Sequence, residues 1–167
     1  MDYYQKALTI LKKTLPENHP NIASSYNNIG VVYYHQGNYD SALEYHQKAL
    51  AIYKKSLPEN HPNIAQSYHN IGGVYSRQGN HAAALDYYQK ALAIQQKTLP
   101  DNHTDIATCY NNIGIVYFRK GEYRNAYNHI NKAYEIFRSK LGDNHPTTQQ
   151  VLDDLKFVEQ KLKKSGQ

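Results

Sequence analysis

Residues 57–98 read LPENHPNIAQSYHNIGGVYSRQGNHAAALDYYQKALAIQQKT, and this stretch decides the fold. The 42 residues before it, Leu15–Ser56, match it at 29 positions without a gap. The 42 after it, Leu99–Lys140, match it at 18. A fixed period of this size marks a stacked repeat array, in which each unit buries its apolar face against its neighbours.

Each unit opens on a turn. It is Leu15-Pro16-Glu17-Asn18-His19-Pro20 in unit one, the same six residue types from Leu57 to Pro62, and Leu99-Pro100-Asp101-Asn102-His103-Thr104 in unit three. Proline lacks an N–H and fixes φ near the helical value. It therefore ends one helix and is tolerated in the first turn of the next. The Asn or His before it can cap that next helix. A first helix is predicted from about Pro20 to Gln36. Its apolar stripe is Ile22, Ala23, Tyr26, Ile29, Gly30 and Tyr33, at three- and four-residue steps. Gly37-Asn38 breaks it, as Gly79-Asn80 and Gly121-Glu122 do later. A second helix is predicted from about Tyr39 to Ser56, with Ala42, His46, Ala49, Leu50 and Tyr53 inward and the alanines allowing close approach.

Outward from the three units the pattern is partial. Residues 2–14 align with a second helix: Tyr3, Lys6, Ala7, Leu8 and Ile10 match Tyr45, Lys48, Ala49, Leu50 and Ile52. This half-unit has an apolar stripe at Tyr4, Ala7, Leu8 and Leu11 and no first helix before it. The expectation is that the chain is a piece of a longer protein. After Lys140 the turn returns at 141–146, and a last helix is predicted from about Pro146 to Lys164. It keeps Val151, Leu152, Leu155 and Leu162, but Lys156 and Glu159 stand where Gly30 and Tyr33 stood. A terminal repeat needs such a polar outer face, because nothing stacks on it. The fold class is therefore all-α: one array over 1–164 with about eight antiparallel helices, a C-terminal capping helix at 146–164 and a disordered tail at 165–167. No segment alternates at period two.

Composition bounds the function. The chain has 167 residues, net charge +5 and a pI near 9.1. Its basic and acidic residues are interleaved, with no run of five or six like charges, so nucleic acid is not the expected partner. Lys161, Lys163 and Lys164 read as a solvated helix end. The N-terminus has no signal peptide and no apolar run approaches the ~20 residues of a membrane helix. One cysteine, Cys109, forms no internal disulfide, which suits an intracellular, cytoplasmic setting. It reads as a small buried thiol. Many of the seventeen tyrosines recur at the repeat period and read as core and seam residues.

At Tyr26-x2-Ile29-Gly30-x2-Tyr33…Ala42…Ala49 the chain resembles the tetratricopeptide repeat. The same spacing stands at Tyr68, Ile71, Gly72, Tyr75, Ala84 and Ala91, and at Tyr110, Ile113, Gly114, Tyr117, Ala126 and Ala133. Tyr replaces the family's opening Trp, and Ile its Leu. The aromatic expected four residues after the middle Ala is His46, Tyr88 and Ile130. The 42-residue unit with its Asn-His-Pro turn is similar to those of kinesin light chains and nephrocystin-3. The resemblance implies an α-α superhelix whose first helices line a concave, peptide-binding groove.

Side chains a quarter to a half turn round from the core stripe face that groove. Unit one offers Ser24, Asn27, Asn28, Val31, Tyr34 and His35. Unit two offers Gln66, His69, Asn70, Gly73, Ser76 and Arg77. Unit three offers Thr108, Asn111, Asn112, Ile115, Phe118 and Arg119. Asn28, Asn70 and Asn112 recur, and an amide both donates and accepts. The resemblance assigns them to a peptide backbone; the alternative is that each bonds a neighbouring helix and holds the pitch. Arg77 and Arg119 can pair a carboxylate with two parallel N–H bonds, so they favour an acidic peptide, or they are solvated cations at a helix C-terminus. Gly73 follows Gly72 inside a helix, at about 1 kcal/mol relative to Ala. Its missing side chain would open a pocket between Tyr34 and Phe118 for a bulky residue of the partner.

No catalytic constellation is recognisable, so no enzyme activity and no cofactor are expected. The recurring His19, His61, His103 and His145 lie about 10 Å or more apart in stacked helix pairs, too far to share a metal. The expected function is a scaffold module that binds a short partner segment, acidic with an apolar anchor. The alternative is self-association, through the open N-terminal helix or the tyrosines, within a larger protein.

Overall fold

The computed structural model describes residues 2–166. Its helices are α1 (Asp2–Thr14), α2 (Pro20–His35), α3 (Tyr39–Ser56), α4 (Pro62–Arg77), α5 (His81–Thr98), α6 (Thr104–Arg119), α7 (Tyr123–Leu141) and α8 (Pro146–Ser165). There is no strand among the described residues. Each helix packs on its sequence neighbours, and α2 also touches α4, as α4 touches α6. The first helices of the units thus form one wall of a solenoid.

The helix ends are written locally. His19, His61, His103 and His145 are the N-caps of α2, α4, α6 and α8. Each Nδ1 accepts the backbone N–H two residues on, from Asn21, Asn63, Asp105 and Thr147, at 3.1–3.2 Å. That satisfies one of the donors a helix start leaves unpaired. Asn38 and Asn80 cap α3 and α5 through Oδ1, whereas Glu122 makes no side-chain cap for α7. Gly37 at φ +76° ends α2, and the Asn38 N–H returns to the Tyr33 carbonyl.

The core is a string of seams rather than one centre. Ala23, Ala49, Tyr53, Ile64, Ala65 and Ile94 join units one and two. Another cluster, including Ala84, Tyr88, Ile106, Cys109 and Ile113, joins units two and three. Ala126, Ile130 and Ala133 meet Val151, Leu155 and Val158 of α8. Within each unit the hairpin closes over a glycine. A Cβ on Gly30 would lie 2.7–2.9 Å from the His46 ring. On Gly72 it would lie 2.9–3.1 Å from Tyr88, and on Gly114 2.5 Å from Ile130. The glycine and the large residue sixteen positions later are one contact.

The array ends differ. On α1, Tyr3, Tyr4 and Ile10 are exposed, whereas Leu8 and Leu11 of its stripe are half-buried. On α8, Thr148, Val151, Leu155 and Val158 are buried; Leu152 and Leu162, expected in the core, are half-buried. Of the tail expected at 165–167, Ser165 is instead helical and Gly166 caps α8 in the left-handed conformation. Gln167 lies outside the described residues.

Candidate functional site: the wall of first helices

On α2, α4 and α6 the side chains next to the core stripe link one unit to the next at a spacing of 43 residues. Asn70 Nδ2 donates to Asn27 Oδ1 at 2.8 Å. Arg77 Nε donates to the Tyr34 hydroxyl at 3.1 Å. Asn112 Nδ2 donates to His69 Nε2 at 3.2 Å. Arg119 donates to the Ser76 carbonyl at 3.0 Å and to its hydroxyl at 3.1 Å. One superhelical step moves the wall by one unit plus one residue.

Two polar chains run into the seams. In the first, Gln66 Nε2 donates to Asn70 Oδ1, and Asn27 Oδ1 accepts from both Asn70 and His46 Nδ1. In the second, Asn112 donates to His69 Nε2, so His69 Nδ1–H points at Cys109 Sγ, 3.4 Å away. The Cys109 thiol in turn faces the Tyr88 carbonyl at 3.9 Å. Burial holds both imidazoles neutral: His46 falls to about 4, and His69 falls below its ordinary value despite the opposing pull of Asp105. Cys, His and Asn in hydrogen-bond sequence resemble a nucleophilic triad. Here the Cys109 thiol is buried and pushed up to about 12 by that burial, so it keeps its proton at neutral pH.

A recess of about 260 Å³ opens on this wall. Gly73, Tyr88, Tyr34, His35, His69 and Asn70 are among the residues that line it. At Gly73 an added Cβ meets nothing nearer than the Tyr88 hydroxyl, at 3.6 Å. Phe118, expected as a border, does not line it; its ring packs at a tilt against Tyr123 and against Phe157 of α8, with centroids 5.5 and 5.6 Å apart. The capping helix offers Phe118 an apolar partner, which turns it away.

The remaining expected groove residues divide into two groups. Asn27, Asn70, Asn112, Arg77 and Arg119 are tethered across seams. Asn28 and His35 are exposed, and Asn111 is half-buried with an unpartnered Oδ1. His46 and Tyr88 lie on second helices yet reach the recess, because Gly30 and Gly72 leave room for their rings. The signal was present as a glycine followed sixteen residues later by a large polar-tipped ring.

The chain belongs to the tetratricopeptide repeat family. Family matches overlap along it, at residues 2–55, 26–97, 63–139 and 105–166. The family is one of protein-interaction scaffolds. A search of curated proteins gave no match. Among solved structures, a kinesin-light-chain candidate of nearly identical TPR-like repeats from Podosopora anserina is 23% identical. There the chain is covered to 98% and the other protein to 77%, with a TM-score of 0.81. BtubC (BKLC) from P. vanneervenii is 23% identical, with coverages of 95% and 63% and a TM-score of 0.86. The apo form of RapI is 25% identical, with coverages of 96% and 56% and a TM-score of 0.81. The array thus shares the solenoid fold of these structures. Among the described residues no helix is long and apolar enough to cross a membrane.

Proposed function

We propose that the wall of first helices holds a short segment of a protein partner, with a bulky side chain of that segment seated in the Gly73 recess. The observation that carries the reading is the recess itself, lined by a helical glycine where the neighbouring units have Val31 and Ile115. Helix physics gives no reason to keep Gly73, since Ala fits and is the better helix former. Arg77 and Arg119 stand near Tyr88 on the same wall. Each is tied through one nitrogen, which leaves other guanidinium N–H groups for an acidic residue of the partner. The basic net charge agrees with an acidic partner.

The test is selection from a displayed peptide library on the purified chain, at low and high salt. Enrichment of acidic peptides with one bulky apolar residue, lost in Gly73→Val and weakened in Arg77→Glu, supports the reading. Equal binding by Gly73→Val refutes the anchor; equal binding by Arg77→Glu refutes the acidic preference. A second reading, self-association, rests on the open face of α1 at Tyr3, Tyr4 and Ile10. Light scattering separates the two, because a monomer at all concentrations counts against it.

A further inference from the structure

Unit two carries a polar side chain at a buried position where its neighbours carry a ring. Tyr53, Gln95 and Phe137 share a register, 42 residues apart. Tyr53 is buried and its hydroxyl lies 2.8 Å from Ser24 Oγ. Phe137 is buried as well. Gln95 is just 8% exposed, but it lacks a ring, and a cavity of about 180 Å³ lies beside it. The cavity is set between the start of α4, the end of α5 and the start of α6, with Ala65, Gln66, Leu99 and Asp105 among its walls.

The walls are polar, with Asn63, Gln66, Gln95, Thr98 and the acidic Asp105 among them. Gln95 Oε1 has no hydrogen-bond partner. A buried amide oxygen left unpaired is costly, so the position calls for a donor. Gln66 already donates its amide N–H to Asn70. No Lys, Arg or His lines the cavity, while Asp105 does; its Oδ2 also lies 3.7 Å from His103 Nδ1. The carbonyl end of α5 also favours a cation there. The first turns of α4 and α6 oppose one. However, His61 and His103 already accept the N–H groups of Asn63 and Asp105, and the Asp105 charge offsets the α6 end.

We propose that this cavity is a binding site for one cationic N–H donor on an aliphatic stem, namely a lysine side chain of a protein partner. The volume is below that of pockets for drug-sized ligands and suits a single side chain. The stem packs on Ala65 and Leu99. The Gln95 amide turns about its soft terminal torsion to accept from the ammonium, which the Asp105 carboxylate also faces. The site shares no lining residue with the Gly73 recess.

The experiment is an NMR titration of the isotope-labelled full chain, read at the Gln95 side-chain amide and the Asp105 backbone N–H. The probes are acetyl-Gly-Lys-Gly-amide, its norleucine analogue (same stem, no charge) and n-butylammonium chloride. The lysine peptide is expected to give saturable shifts and the norleucine peptide none. Gln95→Phe installs the residue of unit three, and Asp105→Asn the residue found at the same register in Asn21 and Asn63. Each is expected to weaken the lysine peptide by about tenfold. Circular dichroism confirms that both variants are folded, and either alone decides the matter. Equal shifts from norleucine would mean an apolar hole, and no saturation by any probe a water-filled one. Butylammonium binding as tightly as the peptide would mean a free-amine site. Each of these three results overturns the proposal.

Discussion

Gly72 and Gly73 sit side by side in α4, and the same substitution is expected to move stability in opposite directions. Replacing either with alanine gains about 1 kcal/mol of helix propensity, partly through the unfolded chain. That gain is common to both, so the difference isolates the tertiary contact. At Gly73 the new methyl lies 3.6 Å from the Tyr88 hydroxyl, an ordinary contact, and the full gain of about 1 kcal/mol is expected. At Gly72 it would lie 2.9–3.1 Å from three carbons of the Tyr88 ring. That ring is buried and already packed edge-on against His69 at 5.3 Å, so it cannot swing away. Overpacking of this kind costs about 1–3 kcal/mol. With a rigid partner the upper end applies, which leaves Gly72→Ala about 2 kcal/mol less stable after the propensity gain. Urea unfolding followed by circular dichroism measures both, with slopes of about 1–3 kcal/mol per molar. In a Tyr88→Ala background Gly72→Ala is expected to become neutral or stabilising. If Gly72→Ala alone raises the midpoint as Gly73→Ala does, the close-approach argument is wrong.

Acid titration should expose the buried histidines. His46 falls from 6.5 to about 4, so the unfolded chain binds the proton first as pH drops. Stability is therefore full above about 6.5 and lost towards 4, by about 2 kcal/mol between pH 7.5 and 5 from His46 alone. Melting His46→Tyr at both pH values is expected to show a shallower loss; an unchanged slope would assign the acid sensitivity elsewhere. Asn70→Ala removes one of the two donors to Asn27 Oδ1 and is expected to cost about 1–2 kcal/mol in urea unfolding; no loss would show that the seam bonds are not structural. His61→Ala uncaps α4 and should cost about 1 kcal/mol, read the same way and checked against its repeat at His103. Cys109, buried and held protonated, is expected to react with a thiol reagent at neutral pH only after denaturation; rapid labelling of the folded chain would contradict its burial.

Much of this architecture was legible in residues 15–140, because a period of 42 repeated turns, stripes and glycines at every level. The turn histidines recur at the point where a cap is needed, and capping is a local affair. The glycine of each first helix and the residue sixteen positions on also recur, though only the packed hairpin shows them as one contact. The wall of first helices was legible as well, since a helix fixes which residues share a face. The partners of those residues were not, because Asn70 meets Asn27, and Arg77 meets Tyr34, through a step of 43 residues rather than 42. That extra residue comes from the superhelical rotation, which no single unit encodes. The same holds for Phe118, turned away by Phe157 of α8, and for the opening beside Gln95. Sequence alone determined the repeat, its helices and its caps, since these depend on local propensity and periodic apolar burial. The tertiary structure decided which polar groups are tied across seams and where space remains, since both depend on how successive units are rotated and on which side chain fills each shared register.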